Sequence, residues 1–558
     1  MSQDEYTLAY RPGTPPGEIL KWEHGYRISR EEGMIIERDV AVSMRDGVRI
    51  FVDIFRPDDS SPTPTLIGWT PYGKQGPRGT YERFPDFAGV HKEWMSPYTA
   101  FEAPDPLYWT GHGYSVIYVD PRGLWHSEGD ATFWSTEEAR DYYDLIEWTA
   151  AQTWSTGKVG CCGVSYFATT QWQVAAIHPP HLAAINPWEG YSDSYRERAC
   201  HGGIPENVFM PRWLQGVKYS KGRVEDVLEM QRQHPFFDGY WKSKAPDLSK
   251  IEVPAYVVAS WSDQGLHTRG TLEGFKQMSS KHKWLEVHGR KKWEYFMRPD
   301  NVEKQRIFFD HFLKGTSDEV LKWPKVNIEI RERHYVGDMR PEREWPLART
   351  RYTKLFLDAR TRSISEALPE AQSETRYPAP SGSATFEHKF SGETELTGHM
   401  KLKLWVETSA GDDMDLFVAI HKLNQSGAQV PFAFFSVFED GPVALGWLRV
   451  SHRELDPARS TPFQPWLLHR REMRLKPGEC VPVEIEIWAS STLFHKGESL
   501  RVVVQGKDFY GPSEKNYVPR VIATGHGPLR NAGEHIIRTG GQYDSHLLVP
   551  VVPPEEGR

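Results

Sequence analysis

The run Val159-Gly160-Cys161-Cys162-Gly163-Val164-Ser165-Tyr166-Phe167-Ala168 passes from an apolar strand pattern into a helical one, with a serine at the turn. A serine hydroxyl is a useful nucleophile only when a histidine takes its proton and a carboxylate orients that histidine. A strand-to-helix turn that presents serine in this way is sharp and wants small residues two before and two after it. Gly163 meets the first need. Phe167 stands at the second position, with the small Ala168 one residue later, so the strict G-x-S-x-G pattern is not met. Read alone, Ser165 is equally an N-cap serine.

An acid and a histidine are therefore expected further along, each just past the carboxyl end of a strand. Asp263 follows the apolar run 255–260, and His288 follows the run 284–287, so Ser165, Asp263 and His288 form the expected triad. His267, four residues after Asp263, is the alternative base. Taken singly, Asp263 also reads as a helix N-cap and His288 as a structural turn histidine. A tetrahedral intermediate needs donors for its oxyanion. The backbone N–H of Tyr166 is one by position, and the Tyr72 hydroxyl, in the loop after the run 66–69, is the other; a packed loop aromatic is the plainer reading of Tyr72. Such chemistry needs no cofactor. Cys161, Cys162, Cys200 and Cys480 show no C-x-x-C spacing, and no metal is called for.

These residues require a particular scaffold. Residues 36–56 alternate around an Arg-Asp-Gly turn and predict a hairpin. Short apolar runs at 66–69, 114–119, 159–162, 183–186, 255–260 and 284–287, bounded by turn residues, predict strands covered on both faces. A helix opens at Ser135 and Glu138, spaced as a capping box, and another runs from Pro299 to Gly315. Strand and helix alternate, which argues a doubly wound parallel sheet. Residues 191–252 break this rhythm and predict a helical or irregular cap without a clean strand. Its aromatics Trp213, Phe236, Phe237, Tyr240 and Trp241, with Trp188, are expected to wall a pocket. From about 325 the period becomes two, as in Met400, Leu402, Leu404 and Val406, predicting a β-sandwich, with 358–380 as a long polar loop. The expected division is a sheet domain over 1–190 and 253–324, a cap over 191–252 and a β-sandwich over 325–558.

With 558 residues, 39% hydrophobic and 25% charged, the composition is that of a globular protein, too long for one core. A net charge of -8 with no basic stripe argues against a nucleic-acid partner. No apolar run suggests a membrane span and the start lacks a signal-peptide pattern, so cytoplasmic residence is expected. The partner expected is a small-molecule ester or amide; homo-oligomerisation is compatible with the sequence.

The stretches TPYGK at 70–74, DPRGLWHSEG at 120–129, GVSYFA at 163–168, SWSDQGLHTRGTLEGF at 260–275, SHRELDP at 451–457 and FHKGESLRVVV at 494–504 resemble the cocaine esterase and X-prolyl dipeptidyl-peptidase-like (CocE/NonD) hydrolases, a group that includes α-amino acid ester hydrolases and glutaryl acylases. The resemblance spans about residues 36–545. It implies an α/β-hydrolase domain, a helical cap and a C-terminal jelly roll, with Ser165, Asp263 and a histidine as triad and Tyr72 with Tyr166 as oxyanion hole. Two departures stand out. Ala168 replaces the family's glycine, and the usual Gly-Pro-Trp-x-His stretch is here 287–293, with Lys292 about where the histidine would fall. The base is accordingly placed at His288. The reaction expected is acyl transfer to water. Transfer to another acceptor or cyclisation, X-prolyl dipeptide release with Glu189 as amine anchor, and a non-catalytic binding role are the alternatives.

Overall fold

The computed structural model describes residues 5–18, 24–59, 61–75, 78–435, 437–476, 478–510 and 524–554. The predicted hairpin forms from strands Met34–Ser43 and Arg49–Pro57, closed by a turn in which the Gly47 N–H donates to the Met44 carbonyl. From it grows one mixed sheet. Its centre is seven parallel strands in the order Ser115–Asp120, Thr63–Trp69, Ser155–Val164, Leu182–Trp188, Ala255–Ser260, Lys283–His288 and Val326–Arg333. Antiparallel strands flank both edges. Four of the central strands, Thr63–Trp69, Ser115–Asp120, Ala255–Ser260 and most of Leu182–Trp188, are buried along their length, which explains their continuous apolar reading.

Helix Thr136–Ala150 begins where the capping box places it, the Ser135 hydroxyl accepting from the Glu138 amide at 3.0 Å. Glu138 turns back one residue beyond the cap, its carboxyl accepting from the Trp134 amide at 2.6 Å rather than from that of Ser135. It also accepts from Trp69 Nε1 at 2.8 Å and from the Tyr166 hydroxyl at 2.6 Å, tying this helix to the serine turn. The helix from Pro299 runs to Phe309, continues as a wider turn over Asp310–Lys314 and stops at Gly315, whose φ of 68° is left-handed.

The segment 191–252 is mainly short helices, Phe209–Gly216, Val227–Gln233 and Gly239–Ser243, yet it also holds the short strands Cys200–His201, Ile204–Pro205 and Arg223–Glu225. Two or three residues are too few to show a strand period, which is why the sequence hid them. The stretch 358–380 likewise differs from the expected loop. It carries strands Ser363–Ser365 and Ser373–Pro378, pieces too short or too poor in apolar residues to alternate clearly in sequence.

Beyond the sheet domain, antiparallel strands enclose a second core. Thr394–Thr408 pairs with Val481–Phe494, and Met400, Leu402, Leu404, Val483, Ile485, Leu500, Val502 and Val504 all point into that core. A single parallel bridge between Arg331 and Thr492 joins the two regions' strands. Among the described residues no helix is long and apolar enough to cross a membrane.

Candidate active site

Ser165 sits between strand Ser155–Val164 and helix Tyr166–Ala175 with φ 61° and ψ −110°, a strained setting for a residue with a side chain. Backbone bonds hold it there. The Ser165 N–H donates to the Trp188 carbonyl at 2.9 Å, and the Val164 N–H to the Glu102 carbonyl at 3.1 Å. Gly163 is at φ 142°, and a Cβ there would lie 2.5 Å from the Phe167 ring, so the bulky Phe167 is accommodated by the glycine before the serine. The departure at Ala168 is absorbed in the same way. Its methyl packs on Gly190, where any Cβ would come within 2.7 Å of it.

The histidine facing this serine is His267, with Nε2 3.2 Å from Ser165 Oγ. His267 Nδ1 makes a short hydrogen bond to Asp263 Oδ2, four residues back on the entry turn to helix Thr268–Gln277. The placement expected for His288 is therefore corrected. His288 ends strand Lys283–His288, stacks on Tyr295 at 3.9 Å and bonds through Nε2 to Glu189 Oε1 at 3.1 Å. As the last residue of a pleated strand its ring is turned onto Tyr295, away from the serine. Glu189, considered above as an amine anchor, is buried and already bonded to that ring.

Lys292, which falls in sequence about where the family's histidine would stand, reaches the Asp263–His267 pair. Its Nζ lies 3.1 Å from Asp263 Oδ2 and 3.2 Å from His267 Nδ1. Burial, reinforced by this ammonium and opposed by Asp263, lowers the His267 pKa to about 4. The ring is thus neutral at pH 7. Burial alone would raise the Asp263 carboxyl, but Lys292 and His267 outweigh it and hold it well below the usual carboxylate range. Glu102, whose carboxyl accepts from Trp293 Nε1 at 2.9 Å, is pushed up to about 7 by burial, with Lys292 opposing. Sequence reasoning noted Lys292 only as a missing histidine. Its contact with the acid–base pair has no local signature, because 29 residues separate it from Asp263.

The Tyr166 N–H is the first amide of its helix, one of those without an intrahelical acceptor. Tyr72 is buried against Phe101; its hydroxyl accepts from Trp213 Nε1 at 3.2 Å and its proton faces the Glu102 carboxyl. Trp213 in turn lies parallel to the Tyr166 ring, 5.9 Å away. Trp213 thus reaches the site from the cap, whereas Trp241 and Tyr240 pack with Tyr195 in a separate small cluster. Cys161 and Cys162 are buried free thiols in the strand leading to the serine. Among the described residues no group of three or more His, Cys, Asp or Glu is arranged to hold a metal ion.

A parallel α/β sheet carrying Ser, His and Asp side chains at its carboxyl edge places the chain among the α/β hydrolases. Residues 46–293 match the X-Pro dipeptidyl-peptidase (S15) family, and residues 319–548 match the X-Pro dipeptidyl-peptidase C-terminal non-catalytic domain. The chain is 41% identical to a CocE/NonD family hydrolase from Staphylococcus aureus, covering 96% of this chain and 97% of that one with a TM-score of 0.91. It is 25% identical to a cocaine esterase from Rhodococcus sp. (strain MB1 Bresler), over 93% of this chain and 98% of that protein. An α-amino acid ester hydrolase shares the fold, with 17% identity and a TM-score of 0.71 over 94% and 97% of the two chains. The chain belongs to the CocE/NonD, X-Pro dipeptidyl-peptidase-like family of hydrolases.

Proposed function

We propose that the chain is a serine hydrolase that cleaves an ester or amide of a small molecule through an acyl-enzyme, with Ser165 as nucleophile and His267 and Asp263 completing the triad. The observation that carries this reading is the continuous line from Ser165 Oγ to His267 Nε2 at 3.2 Å and from His267 Nδ1 to Asp263. With Nδ1–H donated to Asp263, Nε2 carries the lone pair that takes the serine proton. Ser165 Oγ then attacks the carbonyl carbon, and the oxyanion is met by the Tyr166 amide and the Tyr72 hydroxyl. The proton on Nε2 passes to the leaving alcohol or amine as its bond to the carbonyl carbon breaks. Water repeats the sequence and releases the acid, restoring the Ser165 hydroxyl.

The doubly wound form of the sheet and the jelly-roll form of the second domain belong to the same reading. It is supported by the parallel strand order and by the circuit of strand pairings around the second core, antiparallel except where Ser363–Ser365 meets Ser383–Lys389. Water is the acceptor in preference to a second substrate, and small neutral esters are the first panel to try. The test is covalent labelling by a fluorophosphonate together with turnover of p-nitrophenyl acyl esters. Labelling must vanish in Ser165→Ala; a Ser165→Ala protein that still labels and turns over overturns the assignment.

A further inference from the structure

Arg198 is carried by a π-type turn, Tyr195–Ala199, whose five residues are all buried. Such turns recur at functional sites because they break the regular helix ladder and re-aim side chains. Arg198 is 1% exposed, and none of its three guanidinium nitrogens has a hydrogen-bond acceptor. Its contacts are aromatic. It lies 4.8 Å from the centre of the Trp134 ring, 5.8 Å from Trp241 and 6.0 Å from Tyr191. Cation–π contact offsets part of the cost of burying a cation, but supplies no acceptor for its N–H groups.

The carboxyl groups of this neighbourhood are committed elsewhere. Glu225 accepts from Lys244 Nζ, the Tyr240 hydroxyl and the Phe133 amide. Glu197 accepts from Arg269 and from the amides of Ser192 and Asp193. Glu138 accepts from Trp69, Trp134 and Tyr166. Lys244 pairs with Glu225, Arg269 with Glu197 and Glu486, and Glu138 with neutral donors, so none of these carboxyl groups accepts from Arg198.

Further donors gather at the same place. Trp134 Nε1 is buried without an acceptor, and the Tyr191 and Ser194 hydroxyls lie side by side, short of a formed hydrogen bond. This cluster borders the reacting atoms. The Tyr191 ring lies parallel to His267 with centres 6.0 Å apart, and Trp134 packs on the Tyr166 ring at 5.2 Å.

A planar guanidinium is suited to a carboxylate, whose two oxygens can take it bidentately and keep about two further acceptor sites for neighbouring neutral donors. We propose that Arg198, with Trp134 Nε1 and the Tyr191 and Ser194 hydroxyls, binds a carboxylate of the substrate, so that the chain prefers anionic esters or amides to neutral ones. The proposal rests on the hydrolase reading at Ser165 and names the substrate class for it.

The test compares p-nitrophenyl esters of ω-carboxyacyl chains with methyl-ended chains of equal length, and 4-acetoxybenzoate with phenyl acetate, so that the carboxylate is offered from either side of the ester. A charged hydrogen-bonded contact of this kind predicts about a 10- to 100-fold advantage in kcat/KM for one carboxylated member of these pairs. Arg198→Met should abolish that advantage while leaving turnover of the neutral partner within a few-fold. Absence of any preference in the unmodified protein overturns the proposal, as does an equal loss on both partners in a folded Arg198→Met protein. If Arg198→Met does not fold, thermal melting of the unmodified protein with free succinate or adipate, against the corresponding diols, decides. A rise in Tm with the diacids alone supports the site, and no rise overturns it. Should no ester be hydrolysed at all, the same melting experiment judges the carboxylate site while the hydrolase reading fails separately.

Discussion

Replacing Lys292 by methionine removes a charge 3.2 Å from His267 Nδ1 without emptying the space. Coulomb's law puts that interaction at about 1 kcal/mol with the dielectric of water and about 5 kcal/mol at an effective dielectric of 20. Since about 1.4 kcal/mol is one pKa unit, the ammonium depresses the imidazole by roughly 1 to 4 units. Activity requires neutral His267, so the acid limb of kcat/KM follows its pKa. The unmodified protein should keep that limb near pH 4, where burial and Lys292 together place the ring. In Lys292→Met the pKa climbs back toward about 6.5, the limb moves up by at least about one unit, and activity at pH 5 falls relative to pH 8. The variant also strips Asp263 of a buried partner, which should cost about 3–5 kcal/mol of stability, so melting must first show it folded. The measurement is a pH series with a p-nitrophenyl ester from pH 4 to 9. Identical acid limbs in the two folded proteins would refute the electrostatic account of Lys292.

Exchanging the two histidines' roles gives a direct contrast. His267→Ala should lower kcat by about a thousandfold or more, as loss of a triad base does, while His288→Ala should act mainly through stability, about 2–4 kcal/mol, by unstacking Tyr295 and leaving Glu189 unpaired; ester kinetics beside urea denaturation separate them. Gly190→Ala drives a methyl to within 2.7 Å of Ala168 and the Thr169 amide nitrogen. It should cost about 1–3 kcal/mol and reduce labelling of Ser165, and because two of the three close atoms are backbone, Ala168→Gly in the same chain should restore little of either. The fold itself should weaken on acidification. His267, His288, His421, His452 and His535 are lowered to about 4 and His399 to about 3, mainly by burial. A base depressed in the folded state binds its proton more readily when unfolded, so stability is lost as pH falls from about 6.5 toward 4. Glu102, Glu138 and Glu197, raised to about 7 by burial, act in the opposite direction over that range, but they are outnumbered. The urea midpoint should therefore fall between pH 6.5 and 4.5, and a midpoint that rises would contradict this balance.

Much of the architecture could be read from local pattern. Continuous apolar runs announced the buried parallel strands, and the period-two runs around Met400 and Val481 announced the second core. The serine turn was legible because its strand, apex and helix are contiguous. The short strands of 191–252 and 358–380 were not, since pieces of two or three residues leave no period to detect and Ser373–Pro378 carries too few apolar residues to reveal its alternation. Asp263 was legible as a candidate acid, because it follows its strand directly, and the structure sets it against His267.

The choice of histidine shows where local reading stops. One candidate is the last residue of a strand and the other lies in the connection between a strand and the following helix, and both are close in sequence to a plausible carboxylate or turn. Which ring meets Ser165 depends on side-chain direction at the strand ends. That direction turns His288 onto Tyr295 and lets the first turn of helix Thr268–Gln277 carry His267 over the serine. Sequence by itself determined that a serine turn, an acid and a histidine would gather at the edge of a parallel sheet, because each is written into a few neighbouring residues. Tertiary structure alone decided that Lys292 neutralises the acid, that Glu189 serves His288, and that Arg198 is buried without an acceptor beside Tyr191. Those are contacts between distant segments, and electrostatics at such contacts depends on distance and burial, neither of which residue order specifies.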